Sequence, residues 1–336
     1  MVTALSVPFA EPFATASGVV AARDLLLVRL EHEDGAVGHG EAAPFEPYDG
    51  VAMGEVAAEL AAAGSGAPGT AEIMGPHARA AEEMALLDLD ARRAGAPVGE
   101  PGADAIAVNR TLPAGPPDEA AGRASDGVRA GYSCFKLKVG LPDDGERVAA
   151  VRRAIGPWPA LRLDANGAWG AAEAIESART LSEFDIQLLE QPCGTLEELR
   201  EVRRAVDVPI AADESIATAG DVGRAASLDA CDAVNVKLAG SGGFTGARES
   251  LQAARRHGLD AFLSSTLDGP WGIAAALQLA AQEGITLACG LATLEFFDAR
   301  IAHALPAPRA GLLEVPQGPG LGVSVGEEEL AEVAVA

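Results

Sequence analysis

The chain has 336 residues, 49% hydrophobic and 22% charged, an ordinary globular composition with room for two domains. Its 49 acidic against 25 basic residues give a net charge of −24, which argues against nucleic acid and anionic membranes as partners, because phosphates are bound by basic patches. No uncharged apolar run approaches the roughly 20 residues that span a bilayer, and residues 1–10 lack the basic start of a signal peptide, so a cytoplasmic protein is expected.

Residues 1–45 read as strands. Residues 23–33 (RDLLLVRLEHE) and 36–41 flank Asp34-Gly35, a hairpin signal. A helix is expected over 51–62, a loop over 63–70 (AGSGAPGT), and a strong amphipathic helix over 77–94. Gly95 and Pro97 stop that helix, and 97–104 (PVGEPGAD) reads as a linker. Beyond it a period appears. Short apolar segments end in polar residues at 138, 164, 190, 213, 237 and 264, separated by 26, 26, 23, 24 and 27 residues. Helical patterns, such as 195–205 and 244–257, lie between them. One further segment at each end, 106–111 and 285–290, makes eight βα repeats. That count suits a closed (β/α) barrel better than an open sheet. The Gly-rich stretch 240–243 (GSGG) lacks the spacing of a dinucleotide fingerprint.

The cysteines Cys134, Cys193, Cys231 and Cys289 form no C-x-x-C pair, so four reduced, buried thiols are expected. The five histidines show no ligand spacing. The basic residues say more: 25 less three lysines leaves 22 arginines. The lysines, Lys136, Lys138 and Lys237, are candidates for places where arginine cannot serve, because lysine can lose its proton and arginine cannot.

A barrel of this type carries its active site at the C-terminal strand ends. The second segment bears Lys136 and Lys138. The third ends in Asp164-Ala165-Asn166, the fourth in Glu190-Gln191-Pro192, the fifth in Asp213-Glu214-Ser215, and the sixth carries Lys237. Asp164, Glu190 and Asp213 on neighbouring strands can converge. Together they would repel unless a cation sits among them, and oxygen-only ligands suit Mg²⁺. Lys138 and Lys237 would face each other across the pocket, with Lys136 on the same strand face as Lys138. Any one of these carboxylates is commonly a solvated strand end or a helix cap; three in register beside the only lysines point to a site. Asn166 and Glu214 are expected to hold the ligands from behind, although Glu214 alternatively caps the next helix. Two bases flanking a metal-held substrate suggest proton removal next to a carboxylate. General-base catalysis contributes only about 10²–10⁴-fold, so the metal must stabilise the enolate that forms.

These motifs (Lys136-Leu137-Lys138, Asp164-Ala165-Asn166, Glu190-Gln191-Pro192, Asp213-Glu214-Ser215 and Asn235-Val236-Lys237) resemble the enolase superfamily, in particular its muconate-lactonizing enzyme subgroup. The resemblance runs over nearly the whole chain. It implies a (β/α)7β modified TIM barrel over 105–305 and an α+β capping domain over 1–104, completed by 306–336. Residues 12–18 (PFATASG) and 38–47 (GHGEAAPFEP) look like the capping loops and 316–323 (PQGPGLGV) like the returning tail. Phe13, Phe45 and Tyr48 would close over the substrate, and Arg110 and Ser264 would contact it. The resemblance also implies Mg²⁺, with Mn²⁺ as a substitute, a small carboxylate substrate, and a homo-oligomer. Val108-Asn109-Arg110-Thr111, residues 264–268 (SSTLD) and 288–291 (ACGL) look most like o-succinylbenzoate synthases, which perform a syn dehydration. Residues 234–243 (VNVKLAGSGG) look equally like dipeptide epimerases, although 290–297 lacks their Asp-x-Asp. N-acyl amino acid racemases and cycloisomerases use the same machinery.

Overall fold

The computed structural model of the chain describes residues 1–15, 18–64, 74–100 and 102–335, and of residues 13–15 and 18 the backbone alone. Ala16 and Ser17 of the first expected capping loop, most of the 63–70 loop, and Pro101 of the expected linker lie outside the described residues, as does the side chain of Phe13.

Three antiparallel strands open the fold: β1 (Val2–Thr15), β2 (Gly18–Glu31) and β3 (Val37–Ala42). The β2–β3 hairpin is the one the sequence pattern predicts. A short α1 (Glu46–Asp49) follows, then α2 (Met53–Gly64) and α3 (Pro76–Ala94). Gly38 and Gly40 let α3 lie directly on β3: an added Cβ would strike the carbonyl of Ala85 or Ala81. Alanines at 78, 81 and 85 complete the close approach, and α3 stops at Gly95 in the left-handed conformation.

The expected first barrel strand, 106–111, is in fact two pieces. Its first part, β4 (Ala105–Ala107), pairs antiparallel with a strand of the C-terminal segment, β12 (Leu312–Glu314). The second, β5 (Arg110–Leu112), starts the barrel. Helix α4 (Pro117–Arg129) leads to β6 (Cys134–Lys138). The alternation continues through α5 (Asp144–Ile155), β7 (Ala160–Asp164), α6 (Ala171–Leu181), β8 (Ile186–Glu190), α7 (Leu196–Ala205), β9 (Ile210–Ala212), α8 (Ala219–Leu228), β10 (Ala233–Val236), α9 (Phe244–His257), β11 (Asp260–Leu263) and α10 (Pro270–Gln282). Strands β5 to β11 form one parallel sheet in sequence order.

The expected eighth strand over 285–290 is not a strand. Only Cys289 and Gly290 pair, bridging Val108 on one side and Ser264 on the other. Four backbone bonds make the closure: Cys289 N to Ala107 O, Asn109 N to Cys289 O, Gly290 N to Leu263 O, and Ser265 N to Gly290 O, at 2.7–3.1 Å. Two residues thus join the ends of the sheet into a barrel, and an added Cβ at Gly290 would meet Ser264 Oγ.

The outer helices show only one apolar stripe, except α10, which is buried from Pro270 to Ala281. It packs against β3 as well as β11 and α9. The C-terminal segment returns to the N-terminal sheet. Asp88 on α3 accepts from His39 N on β3 (2.8 Å) and from Leu321 N (2.7 Å), and Val335 N donates to Ala4 O at 3.0 Å beyond a last helix, α11 (Glu327–Val333). All four cysteines are free and buried, as expected. Among the described residues no helix is long and apolar enough to cross a membrane.

Candidate active site

Parallel register places the polar groups. Lys138, Asp164 and Glu190 stand side by side as the last residues of β6, β7 and β8. Asp213 and Lys237 follow β9 and β10 by one residue. Side chains alternate along a strand, so Lys136 falls below Lys138 on the same face. The result is a buried triad: Asp164, Glu190 and Asp213 each offer an oxygen, and these atoms lie within 4.8 Å of one another.

The lysines are threaded between the carboxylates. Lys136 Nζ lies 2.8 Å from Asp164 Oδ2 and donates to Glu190 Oε1 at 2.8 Å. Lys138 Nζ donates to Asp164 Oδ2 at 2.6 Å and to Asn166 Oδ1 at 2.7 Å. Lys237 Nζ bonds Asp213 Oδ1 and donates to Tyr48 Oη at 2.5 Å. Asn235 Nδ2 adds a bond to Glu190 Oε1 at 2.9 Å. Glu190 Oε2 is buried with no partner among the described residues.

Electrostatics follow from this crowding. Burial pulls the Lys136 ammonium down, but Asp164, Glu190 and Asp213 outweigh it and hold it above the ordinary lysine range. Burial raises Asp164, but Lys136 and Lys138 overcome it and the net shift is downward. Glu190 is pushed up by burial, and Asp164 and Asp213 add to this while Lys136 opposes. Tyr48 is raised by burial and then by Asp213 and Glu214, so its phenol stays protonated.

A set of hard oxygen donors, one with an orphaned buried atom, fits a divalent cation.

The strand-end turns are built to hold these groups. Asn166 (φ 45°) and Gln191 (φ 36°) both take the left-handed conformation, which for residues other than glycine needs support from the surroundings. Asn166 finds it in Asp164 Oδ1, which accepts its N–H at 3.0 Å, and in Glu214 Oε1, which accepts from Nδ2 at 2.8 Å. Gln191 works as a bracket between β8 and β9. Its Oε1 accepts from Asp213 N at 2.8 Å, and its Nε2 donates to Ser215 Oγ at 2.7 Å and Cys193 O at 2.8 Å. Helix α8, which follows the Asp213 loop, starts in a reciprocal cap between Thr218 and Asp221.

Above the polar floor lies a cavity of about 280 Å³. Lys136, Lys138, Asp164, Asn166, Asp213, Glu214 and Lys237 line it, together with Phe45, Tyr48 and Ser264. Thr111, Leu141, Ser265, Thr266, Leu267, Thr293 and Phe296 also belong to the wall. Glu190 sits below, between Lys136 and Asn235. Arg110 is not in the wall. On β5 the neighbouring Thr111 faces the cavity, and Arg110 instead lies over the Tyr132 ring at 5.6 Å and pairs with Glu295 at 2.5 Å. The one-residue alternation of a strand accounts for the difference. Glu214 accepts from Asn166, and the next helix is capped by Thr218. Sequence reasoning assigned no role to Gln191 or Asn235, although a polar residue in the apolar run 233–236, two before Lys237, was a usable signal.

The chain matches two family descriptions: "Mandelate racemase / muconate lactonizing enzyme, N-terminal domain" over residues 1–100 and "Enolase C-terminal domain-like" over 119–329. It is 36% identical over 335 residues to o-succinylbenzoate synthase of Thermobifida fusca, covering 97% of this chain and 90% of that protein. It is 30% identical over 350 aligned residues to L-Ala-D/L-Glu epimerase of Bacillus subtilis, covering 95% and 94%. Among solved structures, the dipeptide epimerase of Enterococcus faecalis V583 complexed with Mg and the dipeptide L-Leu-L-Tyr superposes with a TM-score of 0.88 at 29% identity, covering 97% of this chain and 98% of that one.

Proposed function

The chain is an enzyme of the enolase superfamily, of the mandelate racemase / muconate lactonizing type, and on that premise we propose that it removes the proton α to a substrate carboxylate, best as an o-succinylbenzoate synthase-like dehydratase. The observation that carries this reading is the flanking of one carboxylate triad by Lys138 and Lys237 in a single cavity. We propose Mg²⁺, replaceable by Mn²⁺, on Asp164, Glu190 and Asp213; bound there it supplies positive charge to the substrate carboxylate as electrons move onto it.

The residues then divide the work. Lys138 takes the proton from carbon, and Asn166 and Asp164 hold its ammonium in place afterwards. The electron pair of the broken C–H bond moves toward the carboxylate and then forms the C=C bond as the C–O bond breaks. Lys138 returns its proton to the departing hydroxyl, which leaves as water. Lys237 stands as a cation on the other side, and Lys136 neutralises charge between Asp164 and Glu190. Phe45, Tyr48 and Phe296 exclude water from the reacting face.

A second reading, 1,1-proton transfer as in N-acyl amino acid racemases and dipeptide epimerases, is favoured by the placement of both Lys138 and Lys237 in one cavity. In that reading Lys237 handles the proton on the opposite face. Cycloisomerisation of a muconate-like diacid comes third. The proposal includes a cytoplasmic homo-oligomer, read out by sedimentation.

The test is incubation in D₂O with the synthase substrate, N-succinyl amino acids and dipeptides. Loss of water identifies the dehydratase, and α-deuterium in recovered amino-acid derivatives identifies the racemase or epimerase. Absence of dehydration, exchange and lactonisation throughout the panel, with Mg²⁺ present, overturns the proposal.

A further inference from the structure

Arg23, on β2, is 2% exposed and, among the described residues, has no carboxylate within hydrogen-bonding distance. Its guanidinium is spent on backbone carbonyls from two separate loops. Nη1 donates to Pro44 O at 2.7 Å, Nη2 to Ala43 O at 2.6 Å, and Nε to Thr266 O at 3.3 Å. Nη1 also reaches Asp24 O at 3.0 Å, and the group lies over the Phe45 ring, 4.8 Å from its centre.

The first loop runs straight into α1, which sets Tyr48 on Lys237. The second follows β11, and its residues Ser264 to Leu267 line the cavity. Glu41 makes a second tie between the same parts. Its Oε1 accepts from Gly269 N at 2.7 Å, at the positive N-terminus of α10. Gly269 and Gly272 leave room for that carboxylate; a Cβ at Gly269 would crowd it.

The Arg23 charge favours the buried carboxyls of Glu41 and Asp268 nearby, but it makes no hydrogen bond to them. Burying a guanidinium costs solvation that an apolar side chain of similar volume avoids, and Leu25 and Leu27, which follow Arg23 on the same face of β2, are apolar and buried. A planar fork can do what an apolar group cannot: it fixes several carbonyls at set angles while stacking on a ring.

We propose that Arg23, backed by Glu41, is a positioning residue that locks loop 43–48 to loop 264–269 and thereby sets Tyr48 against Lys237. This rests on the reading of Lys138 and Lys237 as the two groups that handle charge and protons at the substrate. Lys138 is held by Asp164 and Asn166, which belong to neither loop. The clamp therefore acts on one lysine and not on the other.

Two measurements test it. The first is amide hydrogen exchange on the wild-type protein. Segments 43–48 and 264–269 should open together, with one common dependence on denaturant, and Arg23→Lys should raise exchange in both by a similar factor while β6 to β8 are unchanged. Independent opening of the two segments in the wild type overturns the proposal, whether or not the variant folds. The second is α-deuterium exchange resolved by enantiomer, on N-succinyl amino acids. Arg23→Lys should lower the Lys237-dependent exchange about tenfold or more relative to the Lys138-dependent exchange. An equal loss on the two faces overturns it. Where the wild type exchanges neither enantiomer, whether because it only dehydrates or because it turns over none of the panel, which removes the proposed chemistry, amide exchange alone decides the clamp.

Discussion

Tyr48 caps Lys237 in two ways at once: its hydroxyl accepts from the ammonium at 2.5 Å, and its ring centre lies 4.5 Å from the same nitrogen. A cation so placed is attracted to the ring face as well as to the oxygen. Lys138 rests instead on Asp164 and Asn166. Lys138 and Lys237 are therefore chemically unlike, and this asymmetry suits a reaction in which one moves a proton and the other stays charged.

That difference gives the first prediction. In a dehydratase, Lys138→Ala should abolish turnover, while Lys237→Arg, which keeps the charge and cannot act as a base, should retain some. In a racemase, Lys237→Arg should lose exchange from one enantiomer completely. Dehydration assays beside enantiomer-resolved exchange decide between them. Full activity of Lys138→Ala in every assay would sink both mechanisms.

The triad predicts metal-dependent stability. A cation that binds the folded chain alone stabilises it by mass action, by about 2.7 kcal/mol at a concentration a hundredfold above Kd, and so raises its melting temperature. Thermal melts with Mg²⁺ and after chelation should differ in that direction. Asp213→Asn should shrink the metal-induced shift while leaving a cooperative melt. An identical melt with and without divalent metal would count against the site.

Gln191 should matter for the same property from one step away. Gln191→Ala removes the partner of the buried Asp213 N–H and frees the Ser215 loop. The expected loss is about 1–3 kcal/mol of stability, the cost of an unsatisfied buried group. Because Asp213 is then less well held, the metal titration midpoint should also move to higher concentration. A stability loss with an unchanged midpoint would show that the bracket does not reach the ligand.

Glu41 predicts a pH dependence. Burial, helped by the nearby Asp268, pushes its carboxyl up to about 8, against the opposing pull of the Gly269 and Gly272 N–H groups and Arg23. The folded chain thus binds this proton more tightly than the unfolded chain does. Its stabilising contribution is full below the unfolded value of 4.5 and is lost as pH rises through about 8. Asp268, raised mainly by its own burial, works in the same direction. Glu41→Gln, which mimics the neutral acid, should flatten the fall in melting temperature over that interval. An unchanged slope in the variant would assign the dependence to other groups.

Much of this protein was legible in one dimension. Strand ends spaced by 23 to 27 residues, with three acids and the only lysines upon them, fix the barrel and its metal-ligand candidates, because a parallel βα repeat returns each strand end to the same rim. Period two put Lys136 below Lys138 on one face. Pairings between distant segments were not legible. Nothing local in 106–111 says that its first half would leave the barrel for β12, or that two residues, Cys289 and Gly290, would close it. Arg110 faced outward because the register of β5 is set by β6 across the sheet, not by β5 itself. The bracket of Gln191 and the clamp of Arg23 join residues that are neighbours only after folding, 22 and 243 positions apart. Hydrophobic pattern and turn chemistry act over a few residues and so can be read directly. Carbonyls that a buried guanidinium will find are chosen by the packing of one loop on another, and that packing exists only in three dimensions.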